Sequence, residues 1–80
     1  MITTAQLLKT VQSALELKRD VTIEDSVDTL KGWDSVGHLA ILVAVDRALD
    51  GKASEIKGLV QCQSVKSLCQ VLRENRLLKD

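Results

Sequence analysis

Three groups of side chains in this 80-residue chain have types and spacings that could do chemistry: the pair Asp34-Ser35, His38 three residues after the serine, and the thiols Cys62 and Cys69. Asp34 and Ser35 stand where a polar stretch ends and a long apolar run begins, so either can supply the side-chain oxygen that caps free amides at a helix start. Ser35 is thereby set at or beside a helix N-terminus, with the positive end of the helix dipole behind it. A hydroxyl in that position is well presented to a phosphate-bearing reagent, because unpaired amides at a helix start favour anions. As a plain N-cap, Ser35 would be worth about 1 kcal/mol. Asp34 can take the capping role and leave Ser35 free.

The spacing of Ser35 and His38 raises a Ser-His nucleophile pair on one helix face. Against it stand the lack of an oxyanion hole, of a third residue to orient the imidazole, and of enough chain to form a cleft between domains. A first-turn histidine packed at the core edge is expected instead, and the protein is not expected to be an enzyme. Two cysteines without His or Cys partners at ligand spacing do not make a zinc site, so no metal site is expected. No signal-peptide pattern opens the chain. Buried free thiols in a cytoplasmic protein are expected.

The elements that must position these groups follow from periodicity. Thr3-Thr4-Ala5-Gln6 carries a Thr-x-x-Gln capping pattern, and Leu7, Leu8, Val11, Ala14 and Leu15 then predict an amphipathic helix ending near Lys18-Arg19. Residues 20–33 lack a helical period but keep Val21, Ile23, Val27 and Leu30 at short intervals, which predicts a long loop pinned to the core; Trp33 is expected to be buried as a further anchor. A second helix is predicted over about residues 35–49. Ile41, Leu42, Val45 and Leu49 share one side of it, Val36, Val43 and Arg47 lie nearly opposite, and Leu39 stands at the border. The second stripe is either a docking face or a sign that this helix is central and buried on both sides. Gly51 is expected to end the helix. A short helical turn starting at Ser54-Glu55 would then face Ile56, Leu59 and Val60 inward. Ser64 is expected to cap a last helix carrying Val65, Leu68, Cys69 and Leu72 at i, i+3, i+4 and i+7.

The composition is 45% hydrophobic with a single aromatic residue and no proline, which argues for one small all-α domain over residues 1–80 with an aliphatic core. Eleven basic and eleven acidic residues balance overall, yet residues 21–50 hold six acids against two bases, and residues 51–80 hold six bases against three acids. The acidic half surrounds Ser35 and would steer a basic partner surface toward it; a solvated acidic loop with no partner is the simpler alternative. Without a basic stripe or stacking aromatics, nucleic-acid binding is not expected. No apolar run is long enough to span a membrane.

At Gly32-Trp33-Asp34-Ser35-Val36-Gly37-His38-Leu39 the sequence resembles the acyl carrier protein family, in which an Asp-Ser-hydrophobic motif heads the second helix. The motif's place in the chain, the long first loop and a last helix opening on Ser64-Val65 extend the resemblance over most of the sequence. It implies a small four-helix bundle of acyl-carrier type, with three longer helices and one short one. It further implies that Ser35 accepts 4′-phosphopantetheine from coenzyme A, and that Asp34 helps hold the Mg²⁺ ion which the transferase needs. Val36 and Val43 match the family's exposed apolar positions on this helix, and Asp46 matches an acidic partner contact; Leu39 and Arg47 complete the candidate partner surface. The implied partners are a phosphopantetheinyl transferase and acyl-activating, condensing or acyltransferase enzymes of a fatty-acid, polyketide or related pathway, with the carrier itself a monomer. The chain departs from the family at Gly37, Ala40 and Arg47, where acids are frequent, and this suggests a dedicated set of partners. Two alternatives share the same residues: a peptidyl or aminoacyl carrier, and an unmodified helical module whose second stripe binds a partner.

Overall fold

The computed structural model describes residues 1–79. Helix α1 spans Thr4–Ala14, α2 Ser35–Ala48 and α3 Val65–Glu74; two 3₁₀ segments, Lys52–Glu55 and Lys57–Gln61, lie between α2 and α3. Among the described residues there are thus three α-helices, and the short turn expected from Ser54 takes 3₁₀ form in two pieces. Ser54 lies inside the first piece, which begins after Gly51, and does not cap it.

Each helix begins with a side-chain cap that the sequence signals. Thr3 Oγ1 accepts the Gln6 amide at 3.1 Å while Gln6 Oε1 accepts the Thr3 amide at 2.8 Å, closing the predicted capping box. Ser64 and Ser67 make the equivalent box at α3.

The helix ends follow a rule less visible in sequence. α1 stops at Ala14, before the predicted Lys18-Arg19, because Glu16 turns left-handed (φ 54°) and the Leu17 amide reaches back to the Gln12 carbonyl at 3.0 Å. That closure satisfies carbonyls which helix ends otherwise orphan, and it tucks Leu17 against the core. α2 ends in the same way. Asp50 (φ 55°) takes the left-handed position expected of Gly51, and the Gly51 amide bonds the Asp46 carbonyl at 2.8 Å. α3 repeats the device with Arg76 (φ 59°) and a Leu77-to-Leu72 bond of 2.8 Å.

Leu7 and Val11 of α1, Ile41, Val45 and Leu49 of α2, and Val65, Leu68, Cys69 and Leu72 of α3 are buried together. Full burial of one such aliphatic side chain stabilises the fold by roughly 2 kcal/mol. Val21, Leu30 and Trp33 pin the loop to this core as expected, and Val27 is half-buried; Ile23 is exposed and anchors nothing. Leu59 is buried as predicted, whereas its neighbour Val60 is exposed, against the inward orientation predicted for it, because the 3₁₀ segment turns the two adjacent side chains to different sides.

An all-α reading omits one feature. Ile2–Thr3 (β1) pairs in parallel with Leu78–Lys79 (β2), Ile2 opposite Leu78, and both of those side chains are buried. Two-residue strands carry no readable alternation. Both segments follow from caps already in place: Thr3 caps α1, and the turn at Arg76 returns the chain alongside it.

Polar clamps hold the loop before α2. Asp25 is buried and accepts from Arg19 Nη1 and Nη2 at 3.1 and 2.9 Å, from the Thr22 amide at 2.8 Å and from Thr29 Oγ1 at 2.8 Å. Its hydrogen bonds with Arg19, then with the Thr22 amide, hold its carboxyl well below the usual carboxylate range. The Asp25 carbonyl takes the Val65 amide at 2.9 Å, and the Gln63 carbonyl takes the Val27 amide at 2.9 Å, sewing the loop to the start of α3.

Candidate functional site

The loop delivers the chain to Asp34, whose Oδ1 accepts the Gly37 amide at 2.9 Å and whose carbonyl opens the helix by accepting the His38 amide at 2.7 Å. Asp34 is therefore the N-cap, and Ser35 is the first helical residue. Ser35 is exposed, and its hydroxyl has no hydrogen-bond partner among the described residues. Capping and presentation are divided between the two neighbours: the acid satisfies an amide that the helix start would leave orphaned, and the hydroxyl faces solvent.

Gly37 sets how closely the loop meets this first turn. A Cβ on Gly37 would collide with the carbonyl oxygen of Gly32 and stand 2.9 Å from Leu15 Cδ2. The absence of an acid here has a steric cause, since no side chain of any kind fits.

Trp33 is buried beside the motif, and its indole Nε1 donates to His38 Nδ1 at 3.0 Å. The two rings lie 6.1 Å apart between centroids with planes 17° apart. His38 Nε2 lies 2.9 Å from the Leu59 carbonyl. An indole N–H only donates and a carbonyl only accepts, so these two bonds assign the ring proton to Nε2 and leave Nδ1 as the acceptor. Both nitrogens are engaged away from Ser35, and the Ser-His pair does not form. The expected packing of His38 at the core edge is present, with polar bonds on both sides that spacing alone did not reveal.

Along α2 the second apolar stripe faces out. Val36 is 77% exposed, Leu39 61% and Val43 46%, and Val60 from the 3₁₀ turn adds a residue 66% exposed. This excludes the alternative of a helix buried on both sides. Arg47 is exposed at the far end, and its guanidinium has no partner among the described residues. Asp46 is half-buried, and its Oδ1 accepts the Ser54 amide at 2.9 Å, so one carboxylate oxygen is tied to the fold.

Three surface grooves meet at Val60. One of about 340 Å³ contains Trp33, Asp34, Ser35, His38 and Cys62 in its walls. A second, of about 370 Å³, is lined by Ser35, His38, Leu39, Leu42 and Val60. The third, of about 300 Å³, continues past Leu42 and Val43 to Asp46 and Arg47. Ser35 thus opens onto a mostly aliphatic track beside α2.

The charge around Ser35 is less lopsided than composition implies. Asp25 is neutralised by Arg19, and Glu24 meets Lys66 at 3.0 Å. Cys62 and Cys69 are buried and form no disulfide among the described residues, and burial pushes the Cys62 thiol up. Among the described residues no three His, Cys, Asp or Glu side chains are grouped to hold a metal, and no helix is long and apolar enough to cross a membrane. The chain matches no family model, no characterised protein sequence and no solved structure.

Proposed function

We propose that this protein is an acyl carrier in which Ser35 bears a 4′-phosphopantetheine arm. The observation that carries the reading is the division of labour at the head of α2: Asp34 caps the helix while Ser35, next in the chain, is exposed and unbonded. The residues present fit such a group. The hydroxyl is free to take a phosphodiester, one Asp34 oxygen engages Gly37, and the other has no partner among the described residues and is available to a transferase-borne Mg²⁺ ion. Once attached, the arm supplies a terminal thiol on which acyl groups travel as thioesters. The fold reading that goes with this function is the four-helix carrier bundle, with the two 3₁₀ segments standing in place of its short helix.

The chain's own contribution is presentation and docking. Val36, Leu39, Val43 and Val60 offer apolar area to a partner enzyme, and Asp46 and Arg47 add charge at its edge. Specificity then comes from surface contacts and from the effective concentration that a tether creates at each partner's active site. Partners would be a phosphopantetheinyl transferase and the acyl-activating, condensing or acyltransferase enzymes that load and use the thiol. Two buried cysteines outside any disulfide fit a reducing, cytoplasmic setting.

Intact mass after incubation with coenzyme A, Mg²⁺ and a broad-specificity phosphopantetheinyl transferase tests the reading. Wild type gains one phosphopantetheine and Ser35→Ala gains none. A folded wild type that stays unmodified with several transferases refutes it. One observation favours a second reading: the exposed face of α2 is present whether or not Ser35 is used, as in an interaction module. In that case Ser35→Ala keeps partner binding intact.

A further inference from the structure

The imidazole of His38 joins three segments around Ser35. It belongs to the first turn of α2, it receives the Trp33 indole proton at 3.0 Å, and it bonds the Leu59 carbonyl at 2.9 Å. The segment Lys57–Gln61 has no side-chain cap of its own. Its Leu59 carbonyl accepts the Cys62 amide at 3.2 Å and His38 Nε2, which together use both lone pairs. His38 therefore holds the turn that carries exposed Val60 and, on its other side, the loop residue that precedes Asp34. It also lines both grooves that contain Ser35.

We propose that His38 is a positioning residue for the modification of Ser35: through Trp33 it fixes the loop that aims the hydroxyl, and through Leu59 it fixes Val60 at the rim of the docking face. This rests on the carrier reading of Ser35. The two bonds do separable work, because one acts on the reacting residue's own approach and the other on a surface that meets the partner.

Asparagine and glutamine divide the imidazole's roles. The Asn amide oxygen falls near Nδ1 and can still accept from Trp33, whereas the Gln amide nitrogen falls near Nε2 and can still donate to Leu59. Steady-state phosphopantetheinylation should show His38→Gln losing kcat by about three- to tenfold with KM unchanged, the scale of one neutral hydrogen bond. His38→Asn should raise KM by a similar factor with kcat unchanged. Trp33→Phe, which removes the indole proton donor, should lower kcat, and adding His38→Gln to it should lower kcat no further. Nitrogen-15 correlation spectra of the unmodified wild type should show a protonated Nε2 and a bare Nδ1. The proposal is overturned if His38→Gln and His38→Asn, folded by circular dichroism, keep wild-type kcat and KM, if the two kcat losses multiply, or if the proton is on Nδ1. Absence of modification in the folded wild type overturns the carrier reading and this proposal with it; modification of wild type with unchanged variants overturns this proposal alone.

Discussion

Replacing Gly37 with alanine sets two physical effects against each other, and the sign of the result decides between them. By helix propensity alone, alanine inside α2 should stabilise the protein by about 1 kcal/mol. The structure requires the opposite. The added methyl would overlap the Gly32 carbonyl oxygen and crowd Leu15 Cδ2, and the carbonyl is backbone, so no rotamer change relieves it. Relief requires the segment 32–34 to retreat from α2. That movement gives up the Asp34 cap on the Gly37 amide, worth about 1 kcal/mol. It also gives up the Trp33–His38 bond, worth about 1 kcal/mol, and part of the burial of Trp33, worth about 2–3 kcal/mol more. The net loss is roughly 3–4 kcal/mol, a large share of the total stability expected for so small a domain. For an 80-residue chain 1 kcal/mol moves the midpoint by about 6 °C, so thermal unfolding followed by circular dichroism should show Tm falling by about 20 °C. Gly32→Ala is the matched control: it meets no atom within 4 Å and bears only the strain of φ 89°, about 1–2 kcal/mol. A Gly37→Ala protein as stable as wild type, or more so, would show that the loop does not pack on this turn and that the motif geometry is wrong.

Asp25 predicts an acid-sensitive loop. Its carboxyl is depressed in the fold, so its contribution is full above the unfolded value near pH 4 and is lost as pH falls from there toward the folded value. Urea midpoints measured from pH 7 down to 3 should drop for wild type, and Asp25→Asn should flatten that slope while lowering stability at pH 7 by roughly 2–3 kcal/mol; parallel slopes would refute the assignment. The left-handed residues Glu16, Asp50 and Arg76 make Asp50→Gly and Arg76→Gly stabilising by about 0.5–1 kcal/mol each, readable as an increase in Tm, and a decrease would count against the helix ends described. Cys62 and Cys69, buried and with the Cys62 thiol pushed up, should resist iodoacetamide at pH 7.5 in the native protein and react in 6 M guanidinium. Labelling of either at the free-thiol rate in the native protein would contradict their burial.

What the residues alone determined is local. The boxes at Thr3 and Ser64, the start of α2 at Asp34-Ser35 and the apolar stripes of all three helices were legible, because capping and amphipathic spacing act over three or four residues. The candidate serine and the second stripe of α2 were legible for the same reason. Whether that stripe was buried or exposed was not, since only the packing of α1 and the 3₁₀ segments against α2 decides which of its faces is left to solvent, and that face carries Val36, Leu39 and Val43. The tertiary structure likewise decided the helix ends, where closing on Leu17 and Leu77 against the core outweighs the cost of a left-handed Glu16 or Arg76. It decided that Asp25, counted among the surface acids, is a buried clamp held by residues on both sides of it in the chain, and that Gly37 must be glycine because a carbonyl five residues earlier folds onto it. His38 shows the limit most plainly. Its partners are Trp33, five residues before it, and Leu59, 21 residues after it, and no spacing rule reads a bond that exists only once the 3₁₀ turn has packed against the head of α2.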